Sequence, residues 1–146
     1  MSISVLDKKQ QKILEEIPSI HDFSKFYFYL TESKMDHEFL GILNQLSGLS
    51  DTVLSDWLNI SAKTLRNYKN RTDLILKENT KEHILSLIAL YKHGMEVFGD
   101  KENFEQWLKA ENLLMGGKAP LDFLDTISGI KWVDNRLTAM EYGENV

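Results

Sequence analysis

The stretch from Leu49 to Arg71 limits most strongly what this chain can fold into. It contains two runs with apolar residues at helical spacing, and the spacing breaks between them at Asn59-Ile60-Ser61. Each run is too short to be a stable helix alone, so the two must pack against each other and against further elements. The pattern predicts a helix-turn-helix whose apolar positions are Leu54, Leu58, Ile60, Leu65 and Tyr68.

Three residues have steric roles in this prediction. Ser55 is small, so a second helix can cross the first one closely at that point. Asn59 lies in the turn, where the backbone must usually adopt a positive φ that Asn tolerates better than most residues. Ser61 precedes the second helix, and its hydroxyl can accept a hydrogen bond from a free amide of the first turn.

The second helix of the motif has a candidate DNA-binding face. If Leu65 and Tyr68 face the domain, then Ala62, Lys63, Arg66, Asn67 and Lys69 face outward. These side chains carry donors suited to base edges and phosphates. An alternative interpretation is a pair of amphipathic helices joined by a turn, with no role in DNA binding. The candidate DNA-binding residues are Ser61, Lys63, Thr64, Arg66, Asn67, Lys69 and Arg71.

The charge distribution favours the DNA-binding interpretation. The net charge of −5 argues against a protein that coats nucleic acid without specificity. Residues 1–60 hold five basic and nine acidic side chains (−4), residues 61–77 five and one (+4), and residues 78–146 seven and twelve (−5). Positive charge is therefore concentrated on the second helix of the motif and the segment that follows it.

The composition predicts a soluble, cytoplasmic protein of one domain or two small ones. The 146 residues are 42% hydrophobic and 27% charged, as in ordinary globular chains. The absence of Cys excludes disulfides and thiolate metal sites and fits a reducing compartment. No signal peptide and no apolar window of transmembrane length is expected.

The remaining segments complete an all-α fold. Residues 1–34 are predicted as an N-terminal arm and an aromatic segment; the first part is either a loose arm or a docked helix before Pro18. The aromatic run from Phe23 to Leu30 is either a short strand or a buried turn of helix, and it favours a core or a subunit interface over base stacking. Residues 35–78 form the helix-turn-helix unit, which includes a first helix from Asp36 to Leu46.

Residues 79–146 are predicted as a separate helical domain. A long helix begins at Asn79 with a capping box to Glu82, and Asp100 caps the next helix. Gly116, Gly117 and Pro120 mark a loop followed by a short helix, and Thr126 or Ser128 opens the last helix.

No motif in the chain predicts catalysis, so we expect no enzyme and no cofactor. The chain lacks a glycine-rich phosphate loop, and no nucleophile with a base and an orienting group can be identified. The four histidines lack the spacing of metal ligands, so we expect no metal site.

The C-terminal half resembles the Xre/MbcA/ParS antitoxin family. The similarity rests on Val97-Phe98-Gly99-Asp100, Trp107-Leu108, Gly116-Gly117-Lys-Ala-Pro120-Leu121, Leu124-Asp125-Thr126, Gly129 and Glu141-Tyr142-Gly143. Together with the helix-turn-helix it covers residues 35–146. Members commonly have an Arg two residues before Glu-Tyr-Gly, whereas this chain has Ala139 there, and Arg136 lies one turn earlier.

The resemblance implies an all-helical antitoxin that dimerises, represses its own operon and neutralises a toxin, most often a RES-domain enzyme that consumes NAD. In the family, the last helix and the chain end block the toxin's active-site pocket. This implies that residues 79–146 bind toxin and dimerise, with the Gly116 to Pro120 loop beside the blocking surface. The implied partners are the toxin, operator DNA and a second copy of the chain. The implied toxin-binding residues are Arg136, Glu141, Tyr142, Gly143, Glu144, Asn145 and Val146.

Two questions remain open from the sequence. Tyr142 fits the core and an interface equally well, and Gly116, Gly117, Pro120 and Gly129 fit plain backbone geometry better than toxin contact. The alternative function is a stand-alone helix-turn-helix transcriptional regulator whose C-terminal domain only dimerises.

Overall fold

The computed structural model describes residues 5–143, and all the regular secondary structure in that range is helical, with no strand. The all-α prediction is therefore confirmed. Two short 3₁₀ turns, Leu113–Met115 and Pro120–Phe123, lie between the last two helices. The helices are α1 (Lys8–Glu16), α2 (Phe23–Glu32), α3 (Asp36–Ser47), α4 (Asp51–Leu58), α5 (Ala62–Lys69), α6 (Glu78–Phe98), α7 (Lys101–Lys109) and α8 (Ile127–Glu141).

The chain divides into two compact units inside α6, between Ala89 and Leu90. The N-terminal unit contains α1 to α5 and the first half of α6, and the C-terminal unit contains the second half and everything after it. The sequence placed the boundary before α6, at residues 78 and 79. A continuous buried helix gives no local sign of where its neighbours change, so this division is not marked in the sequence.

The first two helices resolve both alternatives in the N-terminal segment. Helix α1 docks, because Ile13, Leu14 and Ile17 are buried, and Lys9 pairs with Glu38 of α3 at 3.0 Å. The aromatic run is a helix, since α2 begins after its cap Asp22. Phe26 and Leu30 of α2 are buried, whereas Phe23, Tyr27 and Phe28 are exposed.

Helices α3, α4 and α5 pack as the helix-turn-helix unit. Helix α3 ends at Gly48, whose φ of 60° closes the helix in the left-handed region. Buried side chains from all three helices form one core, and α5 contacts both α3 and α4. The fully buried residues of this core include Phe39, Leu43, Leu46, Leu54 and Leu65.

The C-terminal unit has an aromatic core. Phe104 of α7 is fully buried and meets Tyr91 of α6 edge-on, with ring centroids 5.4 Å apart. Gly94 of α6 makes this packing possible, because a Cβ at that position would lie 2.2 Å from the Phe104 ring. The second 3₁₀ turn packs against both α7 and α8.

The predicted helix ends are mostly confirmed. Asp100 accepts a hydrogen bond from the Asn103 amide at 2.7 Å, and Thr126 accepts one from the Gly129 amide at 2.9 Å. The predicted start of α6 is wrong. The helix already begins at Glu78, and the Asn79 side chain accepts from the adjacent Thr80 amide instead of forming a capping box.

The helices of residues 5–143 were compared in length and apolar character with what a membrane span requires. None combines the necessary length with sufficient apolar character.

Candidate functional site

The turn between α4 and α5 has the backbone geometry that the sequence predicts. Asn59 adopts a φ of 58°, and its amide donates to the carbonyls of Ser55 and Asp56. Ser55 is buried, and its hydroxyl donates to the Thr52 carbonyl at 3.0 Å. The Thr64 amide donates to the Ser61 Oγ at 3.0 Å. These contacts fix the angle at which α5 leaves the turn.

Helix α5 presents part of the predicted DNA-binding set to solvent. Lys63, Arg66 and Asn67 are exposed, and neither Lys63 nor Arg66 has an ion-pair partner within residues 5–143. Ser61 is exposed as well, and Thr64 is half-buried beside it. We call Lys63, Arg66 and Asn67 the α5 surface.

Two of the predicted DNA-binding cations, Lys69 and Arg71, are paired with carboxylates. Lys69 is half-buried and pairs with Asp51 at the start of α4. Arg71 is exposed and lies 3.5 Å from Asp73. Ala62 is also half-buried, although the prediction has it facing outward. The carboxylates already neutralise part of the charge of Lys69 and Arg71, so the uncompensated positive charge of the motif lies on Lys63 and Arg66.

In the C-terminal unit, one histidine holds two turns of α8. His93 of α6 lies 2.7 Å from Asp134 through its Nδ1, and its Nε2 contacts the Glu141 carboxylate. Asp134 and Glu141 are seven residues apart and therefore lie on one face of α8. The contact with Glu141 ties the C-terminal end of α8 to α6. We call this trio the His93 clamp.

The His93 clamp needs a protonated imidazole. Burial lowers the pKa of His93, but the hydrogen bonds and charges of Asp134 and Glu141 outweigh it and raise that pKa to about 9. A neutral imidazole has one N–H donor, whereas both ring nitrogens here face carboxylates. At neutral pH the ring is therefore charged and donates to both.

The predicted toxin-binding residues have different environments. Tyr142 is the residue that caps the C-terminal end of α8, and it is 83% exposed, so the alternative that places it in the core is wrong. Gly143 follows with a φ of 80°. Arg136 is half-buried, and its Nε is buried without a hydrogen-bond partner within residues 5–143. Glu144, Asn145 and Val146 lie outside the described residues.

The glycines near this surface have two different structural reasons. Gly116 and Gly117 have φ values of 70° and 81°, and a Cβ on either would meet open space, so backbone conformation requires them. Gly129 is required by packing, because a Cβ there would lie 1.9 Å from the Phe123 carbonyl oxygen. Phe123 in turn packs edge-on against Trp132 of α8, with centroids 4.7 Å apart.

The sequence did not identify His93 and Asp134 as part of this region. They are 41 residues apart in the chain, and no local spacing joins a histidine in one helix to a carboxylate in another. A buried Asp on an apolar helix face is the one signal that could have pointed to a partner, because a buried carboxylate needs one. Asp134 is such a residue, with 2% of its surface exposed.

Residues 93–143 match the family model of the antitoxin Xre/MbcA/ParS C-terminal toxin-binding domain. The matched segment begins at His93 and ends at Gly143, so it contains the whole His93 clamp, α7, both 3₁₀ turns and α8. The match confirms over this segment the resemblance seen in the sequence, and it supports an antitoxin role. No curated protein matches the chain.

Proposed function

We propose, from the premise that residues 93–143 match an antitoxin's toxin-binding domain, that this protein neutralises a cognate toxin and represses its own operon in the cytoplasm. The toxin is a RES-domain enzyme that consumes NAD, as the resemblance implies. The antitoxin acts by covering the toxin's active site, which requires binding and no catalysis or cofactor from this chain.

The observation that carries the toxin-binding proposal is the exposed end of α8. Tyr142 projects into solvent at the last turn, and the His93 clamp holds that turn through Glu141. A large aromatic side chain on a fixed helix end loses little conformational entropy when it enters a pocket. Arg136, Glu141, Tyr142, Gly143 and the following residues Glu144 to Val146 are the proposed blocking surface.

Repression is proposed to reside in the helix-turn-helix. The α5 surface provides two uncompensated cations and an amide, a set that can contact phosphates and base edges. Ser61 and Thr64 lie at the N-terminal end of α5, where a backbone phosphate would approach the helix. Lys69 and Arg71 would add contacts by exchanging their carboxylate partners for phosphates.

A homodimer is proposed because motifs of this class read two half-sites related by symmetry. The exposed aromatic face of α2, formed by Phe23, Tyr27 and Phe28, supports it. Sedimentation of the purified protein, compared with a Phe23→Ser, Phe28→Ser double variant, tests this part. The wild-type chain should sediment as a dimer and the variant as a monomer. If the double variant still sediments as a dimer, the dimer interface does not involve this face of α2.

Co-expression with the product of the adjacent gene tests the proposed function as a whole. We expect the two proteins to co-purify at a fixed ratio, and cells that express the partner to keep their NAD pool only when this chain is present as well. Loss of NAD when the partner is expressed alone is the matching control. If the partner is neither toxic nor bound, the antitoxin proposal is wrong.

The second candidate is a stand-alone transcriptional regulator whose C-terminal unit only dimerises. The turn between α4 and α5 has its predicted left-handed Asn59 and its Ser61 cap, which favours this candidate. Operator binding would need nothing from the C-terminal unit beyond dimerisation. The same co-expression experiment separates the two, because a regulator of this kind would bind its operator and leave the toxicity of the neighbour unchanged.

A further inference from the structure

Two adjacent leucines in the C-terminal unit are exposed to water. Leu113 is 93% exposed and Leu114 is 53% exposed, in the first 3₁₀ turn after α7. The next residue, Met115, is buried. Exposed leucines occur singly on most proteins, but two adjacent ones at a loop tip form a compact apolar surface that contact with another molecule would cover.

The loop that carries them is closed by its own hydrogen bonds. The Asn112 side chain accepts from the Leu114 amide at 2.9 Å. The Gly117 amide donates to the Asn112 carbonyl, and the Asn112 amide donates to the Lys118 carbonyl, both at 3.0 Å. With Met115 buried as an anchor, the backbone beneath the leucines is fixed before any partner arrives. A preformed loop avoids the entropy loss that a flexible one would incur on binding.

The position of the loop favours the cognate toxin as its occupant. It lies inside the segment that matches a toxin-binding domain, and no other pair of adjacent, strongly exposed leucines occurs in residues 93–143. The flanking side chains Glu111 and Lys118 carry opposite charges and are exposed, which suits the polar rim of a protein interface. A second copy of the chain or a membrane surface is less suited, because neither would require the toxin-binding segment to hold this loop.

We propose that Leu113 and Leu114 form an apolar anchor that enters a hydrophobic pocket on the cognate toxin, separate from the end of α8 that blocks the active site. This inference rests on the proposed antitoxin function and divides it between two surfaces. The anchor provides affinity, and the blocking surface provides inhibition. In protein interfaces a few buried residues account for most of the binding energy, and burying a leucine side chain contributes the equivalent of about tenfold or more in affinity.

The test is the dissociation constant of purified variants for the purified product of the adjacent gene. Leu113→Ser should weaken binding by about tenfold or more. Leu113→Met, which keeps the apolar volume, should stay within a few-fold of the wild type. Because Leu113 is so exposed, both variants should melt at the temperature of the wild type. At saturating concentration, Leu113→Ser should still inhibit the toxin completely.

Ile75→Ser is the matched control. Ile75 is 86% exposed in the N-terminal unit, so this substitution removes a comparable apolar surface outside the proposed interface. It should leave toxin affinity unchanged. Equal affinities for wild type and Leu113→Ser would overturn the anchor, as would an equal loss with Ile75→Ser. If the wild-type chain itself does not bind, the proposed function fails instead, and the two failures are thereby distinguished.

Discussion

The α5 surface and the end of α8 are both exposed to solvent, but they are held in place differently. Helix α5 is positioned by contacts close in sequence, such as the Ser61 cap on Thr64 and the Asn59 turn. The end of α8 is positioned by His93, which lies 48 residues before Glu141. The turn that leads into α5 is determined by near neighbours in the sequence, whereas the end of α8 is held by a long-range charged contact.

This difference makes the two surfaces respond to different conditions. Capping hydrogen bonds and left-handed turns do not titrate near neutral pH, so the α5 surface should keep its geometry over a wide pH range. The His93 clamp depends on one proton. The comparison therefore predicts that the C-terminal unit is the more sensitive of the two to pH and to packing changes.

The largest expected effect comes from substituting helical glycines in the two units. Gly94→Ala places a Cβ 2.2 Å from the buried Phe104 ring, so the C-terminal unit should lose about 3 kcal/mol of stability. Gly41→Ala in α3 is the control, because its Cβ would meet only the Gln10 side chain at 3.5 Å. The control should be stabilising by about 0.5 to 1 kcal/mol. Urea unfolding measures both, and a neutral Gly94→Ala would contradict the packing described for α6 and α7.

The second effect is the pH dependence of the His93 clamp. The folded pKa of about 9 exceeds the ordinary histidine value, so the stabilisation is complete below about pH 6.5 and lost as pH rises through 9. With Glu141 half exposed, solvent screening reduces the expected loss to about 2 kcal/mol. Urea unfolding at pH 6 and pH 9.5 measures it. His93→Gln should show no comparable loss over that range, and equal pH dependence in both proteins would exclude the clamp as its source.

The third effect concerns operator binding. Arg66→Ala removes an uncompensated cation from the α5 surface and should weaken operator affinity by about tenfold. Lys131→Ala removes an exposed cation from α8 and should leave operator affinity unchanged. Binding titrations at fixed salt compare the two. If Lys131→Ala weakens binding as much as Arg66→Ala, the effect is one of total charge and the assignment of α5 is wrong.

The smallest effect tests the pairing of Lys69. Asp51→Asn removes the carboxylate partner and leaves Lys69 available for a phosphate, so operator affinity should rise a few-fold. The slope of log affinity against log salt should become steeper by up to about one. The Lys69→Ala, Asp51→Asn double variant should show neither change. An unaltered slope in the single variant would mean that Lys69 does not contact DNA.

The same difference between local and long-range contacts explains what the sequence could predict. Asn59 and Ser61 were predicted with their conformations, because turn and cap preferences act between near neighbours. The exposed face of α2 was not predicted, because helical spacing alone could not separate a strand from a helix in an eight-residue aromatic run. The contacts of His93 were not predicted either, because its partners are determined by the packing of α6 against α8. The proposed toxin-binding surface came from family resemblance and not from local physics.

Deleting residues 142–146 tests the division between the two surfaces most directly. The deletion removes exposed Tyr142 and leaves Glu141 in contact with His93, so the fold should persist. The measurement is NAD consumption by the purified product of the adjacent gene, mixed with saturating full-length or shortened protein, beside operator affinity for each. We predict that NAD consumption returns with the shortened protein while operator affinity stays unchanged. Full inhibition by the shortened protein would contradict the proposal that the end of α8 blocks the toxin.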